Sequence, residues 1–537
     1  MKPYRPEDCD AAGEAVGVLV GQVRSVATLL DQARQQHPQH PAIETEKGSW
    51  TYEELFDRAG KIARLLQDDG VVRGDRVAIL LPNSPSWVFA YLGALRAGAI
   101  PVPLDPSSSE PSLGTILPDC SPRALICDPE LLPRLAKAAV ATPSLKHAYA
   151  PALASRSTEG FPLLVRDLDA LPDGDGSEPD PVVRADDDVT LIIYTSGTTD
   201  VPKGVMLTHR NLHSLIDSGV QTFALDQGDR IGHVLPLCHL YGLREVLAPI
   251  AVAGTLVMTV NPMFPAALLR WFASRGVTAL PGVPAHFSLF LGRYRELLWD
   301  LGRHLRYVLI GTSPTSPTLL EQLREALPGV KIYKTYGLTE CGRVTTGDFT
   351  SPETPFDSVG LPAPGVVLSF RDPEGDEVEP GTPGRVYITS DMVMEGYWGR
   401  PDDTAAVKVG PQCFKSRDLG FADAQGLCHL VGRVDQMINV GGEKVAPWEV
   451  EMVLKGHPEV EDAAVVGEAD PGQVTGEVGK AYVVLANGAR AQEADLQQHC
   501  SRHLEPYKVP RSFVFLPKLP KTSLGKTSLH ELRKMAK

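Results

Sequence analysis

The chain has 537 residues, of which 43% are hydrophobic and 22% are charged, and its formal net charge is −14. This composition is typical of a globular chain and excludes a general nucleic-acid binder, whose affinity needs clustered positive charge. The eight cysteines form no CxxC pair, so neither a disulfide framework nor a zinc site is expected. At about 150 residues per domain, the length predicts three or four units, or one large multi-lobed domain with a small one.

Targeting and membrane signals are the next feature of the sequence. The first ten residues include three acidic side chains and no apolar core of a signal peptide. The longest apolar stretch, residues 246–260, is shorter than a membrane span and is interrupted by proline and glycine. We therefore expect a cytoplasmic chain with reduced cysteines and no membrane span.

The N-terminal region alternates between two kinds of hydrophobic pattern. Apolar residues at helical spacing predict helices over 26–35, 51–68 and 86–98, and short apolar runs predict strands over 77–81 and 100–104. Strands that alternate with helices in this way favour parallel sheets in an α/β fold.

A hydroxyl- and glycine-rich segment, TSGTTDVPKG at 195–204, follows a polar, acidic loop at 172–188 and a β-branched strand at 189–194. The backbone N–H groups and hydroxyls of such a loop can bind phosphate, with a lysine as the counter-charge. The spacing differs from that of a Walker A loop. The residues that would contact phosphate are Thr195, Ser196, Gly197, Thr198, Thr199 and Lys203.

The character of the sequence changes near residue 435. A turn-forming stretch over 435–447 precedes about 90 residues with the pattern of a small α+β unit. Residues 505–537 contain eight basic and two acidic residues, a net charge of +6, so the remainder of the chain carries −20. This basic tail is either a solvated surface or a segment that meets an anion.

Several motifs together resemble the adenylate-forming superfamily, which includes acyl-CoA synthetases, peptide-synthetase adenylation domains and beetle luciferase. The segment YTSGTTDVPKGVMLTHRNL at 194–212 is similar to its signature loop, and further motifs stand in the expected order over nearly the whole chain. They are TYEEL (51–55), GDRVAILLPNS (74–84), IPVPLDP (100–106), YGLTE (336–340), SVGLPAPG (358–365), MEGYW (394–398), RDLG (417–420), GRVDQMINVGGEKV (432–445) and PKTSLGK (520–526). The chain is identified as a member of this superfamily, nearest to the AMP-forming acyl- and aryl-CoA synthetases.

The resemblance implies a fold and a reaction. The fold would be a large multi-lobed α/β domain over 1–434, with sheets flanked by helices, and a small mobile α+β domain over 435–537, with the hinge at Asp435. A carboxylate would attack ATP to give an acyl-adenylate, and the thiol of CoA would then displace AMP. Two polyanions must meet in this reaction, so cations and Mg²⁺ would neutralise the developing charge.

The resemblance also assigns roles to residues. Thr339 would contact the α-phosphate, Glu340 would position Mg²⁺, and His239 would lie beside the reacting carboxylate. Lys526, in the basic tail, would bridge that carboxylate and the α-phosphate. Other nucleotide-binding residues would be Gly311, Thr312, Ser313, Tyr336, Gly337, Arg433 and Asp418, whose two oxygens suit the ribose hydroxyls. Rotation at Asp435 would exchange Lys526 for a pantetheine tunnel formed by Gly441, Gly442 and Lys444.

The nature of the acid follows from one segment. Residues 235–242, LPLCHLYG, contain His239 and no aspartate that could pair with an α-ammonium group, so the resemblance favours an acid other than an α-amino acid. A further set of residues could contact the acyl group of the acid, and these residues are either walls of an apolar acyl pocket or core residues. They are Leu243, Val283, Pro284, Cys341 and Gly342.

Two residues depart from the superfamily pattern. Asp200 and Arg417 stand where glycine is usual, and a carboxylate about 5 Å from a phosphate costs roughly 3 kcal/mol per charge pair at an effective dielectric near 20. Either both side chains lie away from the nucleotide, or the enzyme runs mainly the thioester half on a supplied acyl-adenylate. The sequence is also compatible with a ligase that loads a carrier-protein pantetheine. A non-catalytic nucleotide-binding module is disfavoured, because Lys526, Glu340 and Asp418 are all retained.

Overall fold

The computed structural model describes residues 26–153, 158–170, 186–195, 202–259, 264–470, 476–486, 488–521 and 527–536. Its helices in chain order are α1 Val26–Gln36, α2 Tyr52–Asp68, α3 Pro85–Arg96, α4 Glu110–Cys120, α5 Leu132–Val140, α6 His209–Phe223, α7 Leu240–Ala251, α8 Pro265–Ser274, α9 Pro284–Arg293, α10 Arg295–Gly302, α11 Pro317–Ala326, α12 Pro401–Ala405, α13 Pro447–Lys455, α14 Glu493–His503 and α15 Leu529–Ala536. Within these ranges, none of the helices combines the length and hydropathy that a bilayer-spanning helix needs.

The strands up to residue 348 are β1 Pro41–Thr45, β2 Gly48–Thr51, β3 Arg76–Leu80, β4 Ile100–Pro103, β5 Ala124–Cys127, β6 His147–Ala150, β7 Val165–Asp167, β8 Val189–Thr195, β9 Lys203–Thr208, β10 Arg230–His233, β11 Thr255–Met258, β12 Ala279–Gly282, β13 Tyr307–Ile310, β14 Lys331–Leu338 and β15 Gly342–Asp348. The later strands are β16 Ser358–Pro362, β17 Val366–Arg371, β18 Gly384–Ser390, β19 Gly396–Tyr397, β20 Lys408–Gly410, β21 Cys413–Ala422, β22 Cys428–Arg433, β23 Ile438–Val440, β24 Glu443–Val445, β25 Val460–Ala469, β26 Glu477–Leu485 and β27 Ser512–Phe515.

The N-terminal elements follow the predicted alternation. The three predicted helices are confirmed as α1, α2 and α3, and the two predicted strands as β3 and β4. Helix α2 begins after Thr51 because a capping box satisfies its first turn: the Thr51 side chain accepts from the Glu54 backbone, and the Glu54 side chain accepts from the Thr51 backbone. The loop predicted over 172–188 lies largely outside the described residues.

Parallel pairing dominates where strands and helices alternate. Strands β4, β3, β5, β6 and β7 form a five-stranded sheet in which every neighbouring pair is parallel. A 14-stranded sheet contains a second parallel run, β14-β13-β12-β10-β11-β1. In parallel runs the carboxyl ends of the strands share one edge, which brings the segments after β13 and β14 together.

Antiparallel strands extend the large sheet beyond β14. The order continues through β15, β16, β22, β21, β18 and β17, so β21 and β22 lie side by side. A separate three-stranded sheet has the order β19-β9-β8, and both of its pairs are antiparallel. The α/β class with large sheets and flanking helices is therefore confirmed.

The C-terminal elements form a small α+β unit, as predicted. Antiparallel β25 and β26 are joined by β27, which runs parallel to β26. Helices α13 and α14 cover this sheet and supply part of a separate hydrophobic core that includes Val450, Leu454, Val483 and Leu496. A short 3₁₀ helix, Val434–Gln436, links β22 of the large sheet to β23.

Candidate active site

The hydroxyl-rich segment lies between two paired strands. Strands β8 and β9 pair so that Thr195 and Lys203 are partners, which brings the two ends of the loop together. Ser196, Gly197, Thr198, Thr199 and Asp200 lie outside the described residues. Their phosphate-binding role and the effect of Asp200 stay predictions.

Lys203 lies next to an aromatic ring and a carboxylate. Its Nζ is 2.9 Å from Asp403 Oδ1 and 5.3 Å from the centre of the Tyr397 ring. The Tyr397 hydroxyl donates to Glu340 Oε1 at 2.8 Å. The predicted phosphate lysine and the predicted magnesium carboxylate thus contact the same tyrosine, and burial together with Glu340 raises the pKa of Tyr397.

The YGLTE motif forms the end of β14 and the turn that follows. A Cβ atom on Gly337 would lie 2.3 Å from the Gly342 carbonyl oxygen of β15, so no larger residue fits without moving the backbone. Thr339 and Glu340 occupy the turn into β15, and the Glu340 carbonyl accepts from the Met394 backbone N–H at 2.8 Å. The close pairing of antiparallel β14 and β15 therefore fixes where Glu340 leaves the sheet.

Asp418 is placed by the register of two neighbouring strands. Asp418 of β21 and Arg433 of β22 are paired residues, and Asp418 Oδ1 lies 4.0 Å from Arg433 Nη1. Asp418 is buried, and its Oδ2 accepts a 2.5 Å hydrogen bond from the Tyr336 hydroxyl. Burial and this carboxylate raise the pKa of Tyr336 well above its usual value, so the phenol stays a donor.

Asp435, the predicted hinge residue, forms ion pairs with two arginines. Arg433 Nε donates to Asp435 Oδ1 at 3.0 Å, and Arg417 Nη1 donates to Oδ2 at 3.1 Å. Partial burial would raise the pKa of Asp435, but the hydrogen bonds and charges of Arg433 and Arg417 outweigh it and hold that pKa below its usual value. Arg417, which departs from the superfamily pattern, therefore contacts the segment that joins the two parts of the chain.

This ion-pair cluster predicts a pH-dependent stability. Because the pKa of Asp435 is lowered on folding, its contribution is present above about pH 4 and is lost as the pH falls through the folded-state pKa. Asp435→Asn should lower the free energy of unfolding by about 1 kcal/mol at pH 7, the scale of partly exposed ion pairs. Urea unfolding at several pH values should show that this difference narrows below about pH 4. A difference that does not change with pH would contradict the assignment.

The start of α7 lies against the segment after β13. Gly311 follows β13, and a Cβ on it would lie 3.0 Å from the Tyr241 ring. Thr312 adopts φ +74° and its buried Oγ1 has no hydrogen-bond partner among the described residues, and Ser313 follows it. His239 precedes α7, with Nε2 4.0 Å from Asp105 Oδ2.

The remaining predicted residues belong to the C-terminal unit. Gly441 and Gly442 form the exposed turn between β23 and β24, and both have positive φ. Lys444 lies in β24, where its backbone is paired with that of Asn439. Lys526 lies outside the described residues, so its role stays a prediction.

Sequence reasoning missed the roles of two side chains that the fold adds to this region, Tyr397 and Asp403, and it gave Arg417 no partner. Tyr397 contacts Glu340, Asp403 pairs with Lys203, and Arg417 pairs with Asp435. Tyr397 stands in the MEGYW motif, which marked the segment but gave the tyrosine no role. A pair such as Lys203 and Asp403, separated by 200 positions, leaves no signal in a single sequence.

Comparison with known proteins matches most of the chain to one kind of enzyme. The AMP-binding enzyme model matches residues 30–398, and the AMP-binding enzyme C-terminal domain model matches residues 449–526. Feruloyl-CoA synthase of Amycolatopsis sp is 34% identical over 499 residues, which cover 93% of this chain and 96% of that protein. A long-chain-fatty-acid–CoA ligase of Yersinia pestis is 30% identical and covers 95% of this chain and 94% of its own length. The crystal structure of ATP-bound MatB from Rhodopseudomonas palustris has a TM-score of 0.83 and 29% identity, and covers 95% of this chain and 98% of its own.

The chain belongs to the AMP-binding enzyme family, within the adenylate-forming superfamily. It is an AMP-forming acid–thiol ligase of the acyl-CoA synthetase class, with ATP and CoA as substrates.

Proposed function

We propose that the chain activates a carboxylic acid that lacks an α-ammonium group and transfers its acyl group to CoA at the site described above. The observation that carries this proposal is the convergence of three separate motifs, which supply Tyr336, Asp418 and Arg433 to one connected group. At the start of α7 the chain has His239, and the neighbouring Asp105 carboxylate lies 4.0 Å from it. A histidine at this place supports an acid that brings no ammonium group.

In the first half-reaction a carboxylate oxygen of the acid forms a bond to the α-phosphorus of ATP. The bond from that phosphorus to the β-phosphate oxygen breaks, and pyrophosphate leaves. Asp418 would accept hydrogen bonds from the ribose, while Lys203 and Lys526 would offset the negative charge that accumulates between acid and phosphates. Holding both reactants in one site also removes much of the entropic barrier to their encounter.

Glu340 fits the role of a magnesium ligand. Its carboxylate is the kind of ligand that Mg²⁺ takes together with substrate phosphates, and its Oε1 is oriented by the Tyr397 hydroxyl. When bound, the ion would supply neutralisation of the phosphate charge.

In the second half-reaction the thiol loses its proton to solvent, its sulfur bonds to the acyl carbon, the carbon–oxygen bond to phosphate breaks, and AMP leaves. We place the boundary between the two domains at 434/435, supported by the separate hydrophobic core of the C-terminal unit. Rotation at Asp435 would require its bonds to Arg417 and Arg433 to rearrange. Gly441, Gly442 and Lys444 would then meet the pantetheine arm, whether CoA or a carrier protein bears it.

The proposal is tested by ATP–pyrophosphate exchange with a panel of carboxylic acids and amino acids. We expect exchange that needs Mg²⁺ and a carboxylic acid, but not CoA. Glu340→Gln should lower the exchange rate by about 10² or more, because it removes a charge that acts where phosphate charge develops.

A matched control is Glu395→Gln, since Glu395 is more than half exposed and pairs with Lys408 at 3.1 Å. It should leave the exchange rate nearly unchanged. Exchange with amino acids alone would overturn the substrate class. No exchange with any acid, together with thioester formation from a synthetic acyl-adenylate, would establish the alternative raised by Asp200.

A further inference from the structure

A buried group of charges lies on α7 and β15, the elements that follow His239 and Glu340 in the chain. Arg244 and Glu245 are neighbours on α7, and Arg343 comes from β15. Arg244 Nε donates to Glu245 Oε1 at 3.0 Å, and Arg343 Nη2 donates to the same oxygen at 2.9 Å. All three side chains are buried, so two positive charges face one negative charge away from water. An uncompensated buried charge is strongly unfavourable, and a further anion would offset it.

The Arg244 guanidinium reaches the two segments assigned to the nucleotide and the acid. It lies 4.7 Å from the centre of the Tyr241 ring, and that ring packs against Gly311. Arg244 Nη1 lies 3.5 Å from the position that a Cβ on Gly337 would occupy. His239, beside the proposed reacting carboxylate, precedes the same helix. The segment assigned to the acid, residues 235–242, therefore has this guanidinium within 4.7 Å of the centre of one of its rings, that of Tyr241.

Several donors of the two arginines have no acceptor among the described residues. Among the described residues, the Arg244 side chain donates one hydrogen bond, from Nε, so both terminal nitrogens have unused N–H groups. Arg343 Nε and Nη1 are buried and have no partner in the described part of the chain. The terminal nitrogens of a guanidinium form a fork that matches a carboxylate.

We propose that Arg244 determines substrate specificity and that the preferred acid carries a second anionic group, such as a carboxylate, which binds the Arg244 guanidinium. This inference rests on the proposed function and names the substrate class of the same site. It goes beyond the sequence-based interpretation, in which Leu243, the neighbour of Arg244, was either a wall of an apolar acyl pocket or a core residue. Glu245 holds Arg244 in place, and the second anion of the substrate supplies the missing negative charge.

The first test needs no variant. Wild-type enzyme is assayed for acyl-CoA formation with a series of α,ω-dicarboxylic acids of increasing length and with their monomethyl esters, which keep the length and lose one charge. We expect at least one dicarboxylic acid to exceed its ester by about 10- to 100-fold in kcat/KM, the factor that a charged hydrogen bond contributes. Esters that equal or exceed the diacids at every length would overturn the proposal.

The second test uses Arg244→Gln, with Arg244→Lys as the conservative variant. Arg244→Gln should remove the preference for the diacid over its ester, and Arg244→Lys should restore part of it. A merely structural ion pair would instead lower activity with both acids equally and leave the preference intact.

The two proposals fail in different ways. If monocarboxylic acids give acyl-CoA and diacids do not, the specificity assignment is wrong and the ligase function stands. If no acid of either series gives acyl-CoA or ATP–pyrophosphate exchange, the proposed function itself is wrong. If Arg244→Gln does not fold, the wild-type comparison of diacid and ester still decides the question.

Discussion

Replacing Lys526 by alanine is expected to slow acyl-adenylate formation by about 10² to 10³, the effect of removing one donor that stabilises transition-state charge. The resemblance places this lysine between the substrate carboxylate and the α-phosphate, where two negative groups approach each other. ATP–pyrophosphate exchange measures the step. Thioester formation from a synthetic acyl-adenylate should be nearly unaffected, because rotation at Asp435 would by then have exchanged Lys526 for the pantetheine tunnel.

Lys521 offers a matched control in the same basic tail. Its Nζ donates to Asp462 Oδ2 at 3.0 Å and to Thr527 Oγ1 at 3.2 Å, so it is held within the C-terminal unit. Lys521→Ala should keep the exchange rate close to that of the wild type. Equal losses in the two variants would show that the tail acts through its overall charge, and the specific role of Lys526 would be wrong.

Replacing Asp418 by alanine is expected to lower kcat/KM for ATP by about 10² or more. The change removes two acceptor oxygens from the proposed ribose site, and hydrogen bonds to a charged group contribute about 1.5 to 3 kcal/mol each. It also leaves the Tyr336 hydroxyl and Arg433 without a buried carboxylate. Steady-state kinetics with ATP as the varied substrate should show most of the loss in KM.

A buried aspartate far from the proposed ribose site provides a control that distinguishes a loss of ATP binding from a loss of protein stability. Asp229 lies just before β10, at the amino end of the parallel strands, and pairs with Arg306 at 2.5 Å. Asp229→Ala should lower the unfolding temperature at least as much as Asp418→Ala, because both remove a buried carboxylate that lies next to an arginine. It should not raise KM for ATP. A similar rise in KM in both variants would mean that lost stability, and not lost ribose contacts, explains the effect.

Much of the architecture could be predicted because local patterns determine it. Helices α1 to α3 and strands β3 and β4 follow from hydrophobic spacing, and the parallel sheet follows from their alternation. Motif order also indicated that Asp418 and Arg433 belong to one site, and the register of β21 and β22 makes them neighbours.

The pairings of side chains across the fold could not be predicted in the same way. The bond from Tyr397 to Glu340 and the Arg343–Glu245 ion pair join residues that are distant in sequence, and each depends on how two elements pack. The partner of Arg417 could not be predicted from the sequence either. Its identity marked a departure from the superfamily pattern, but only the fold reveals that Asp435 is its partner. Side chains that pair between distant elements follow no fixed spacing in the sequence, so a single sequence does not reveal the pair.

The central claim is that one active site joins a carboxylic acid to CoA at the expense of ATP. The most direct test is mass-spectrometric detection of acyl-CoA after incubation of the full chain with ATP, Mg²⁺, CoA and a mixed panel of aliphatic, aryl and dicarboxylic acids. We predict an acyl-CoA product, with AMP formed in equal amount, that disappears when ATP is omitted. Formation of AMP and pyrophosphate without a thioester, from a panel that includes the preferred acid, would contradict the claim that CoA is the acceptor.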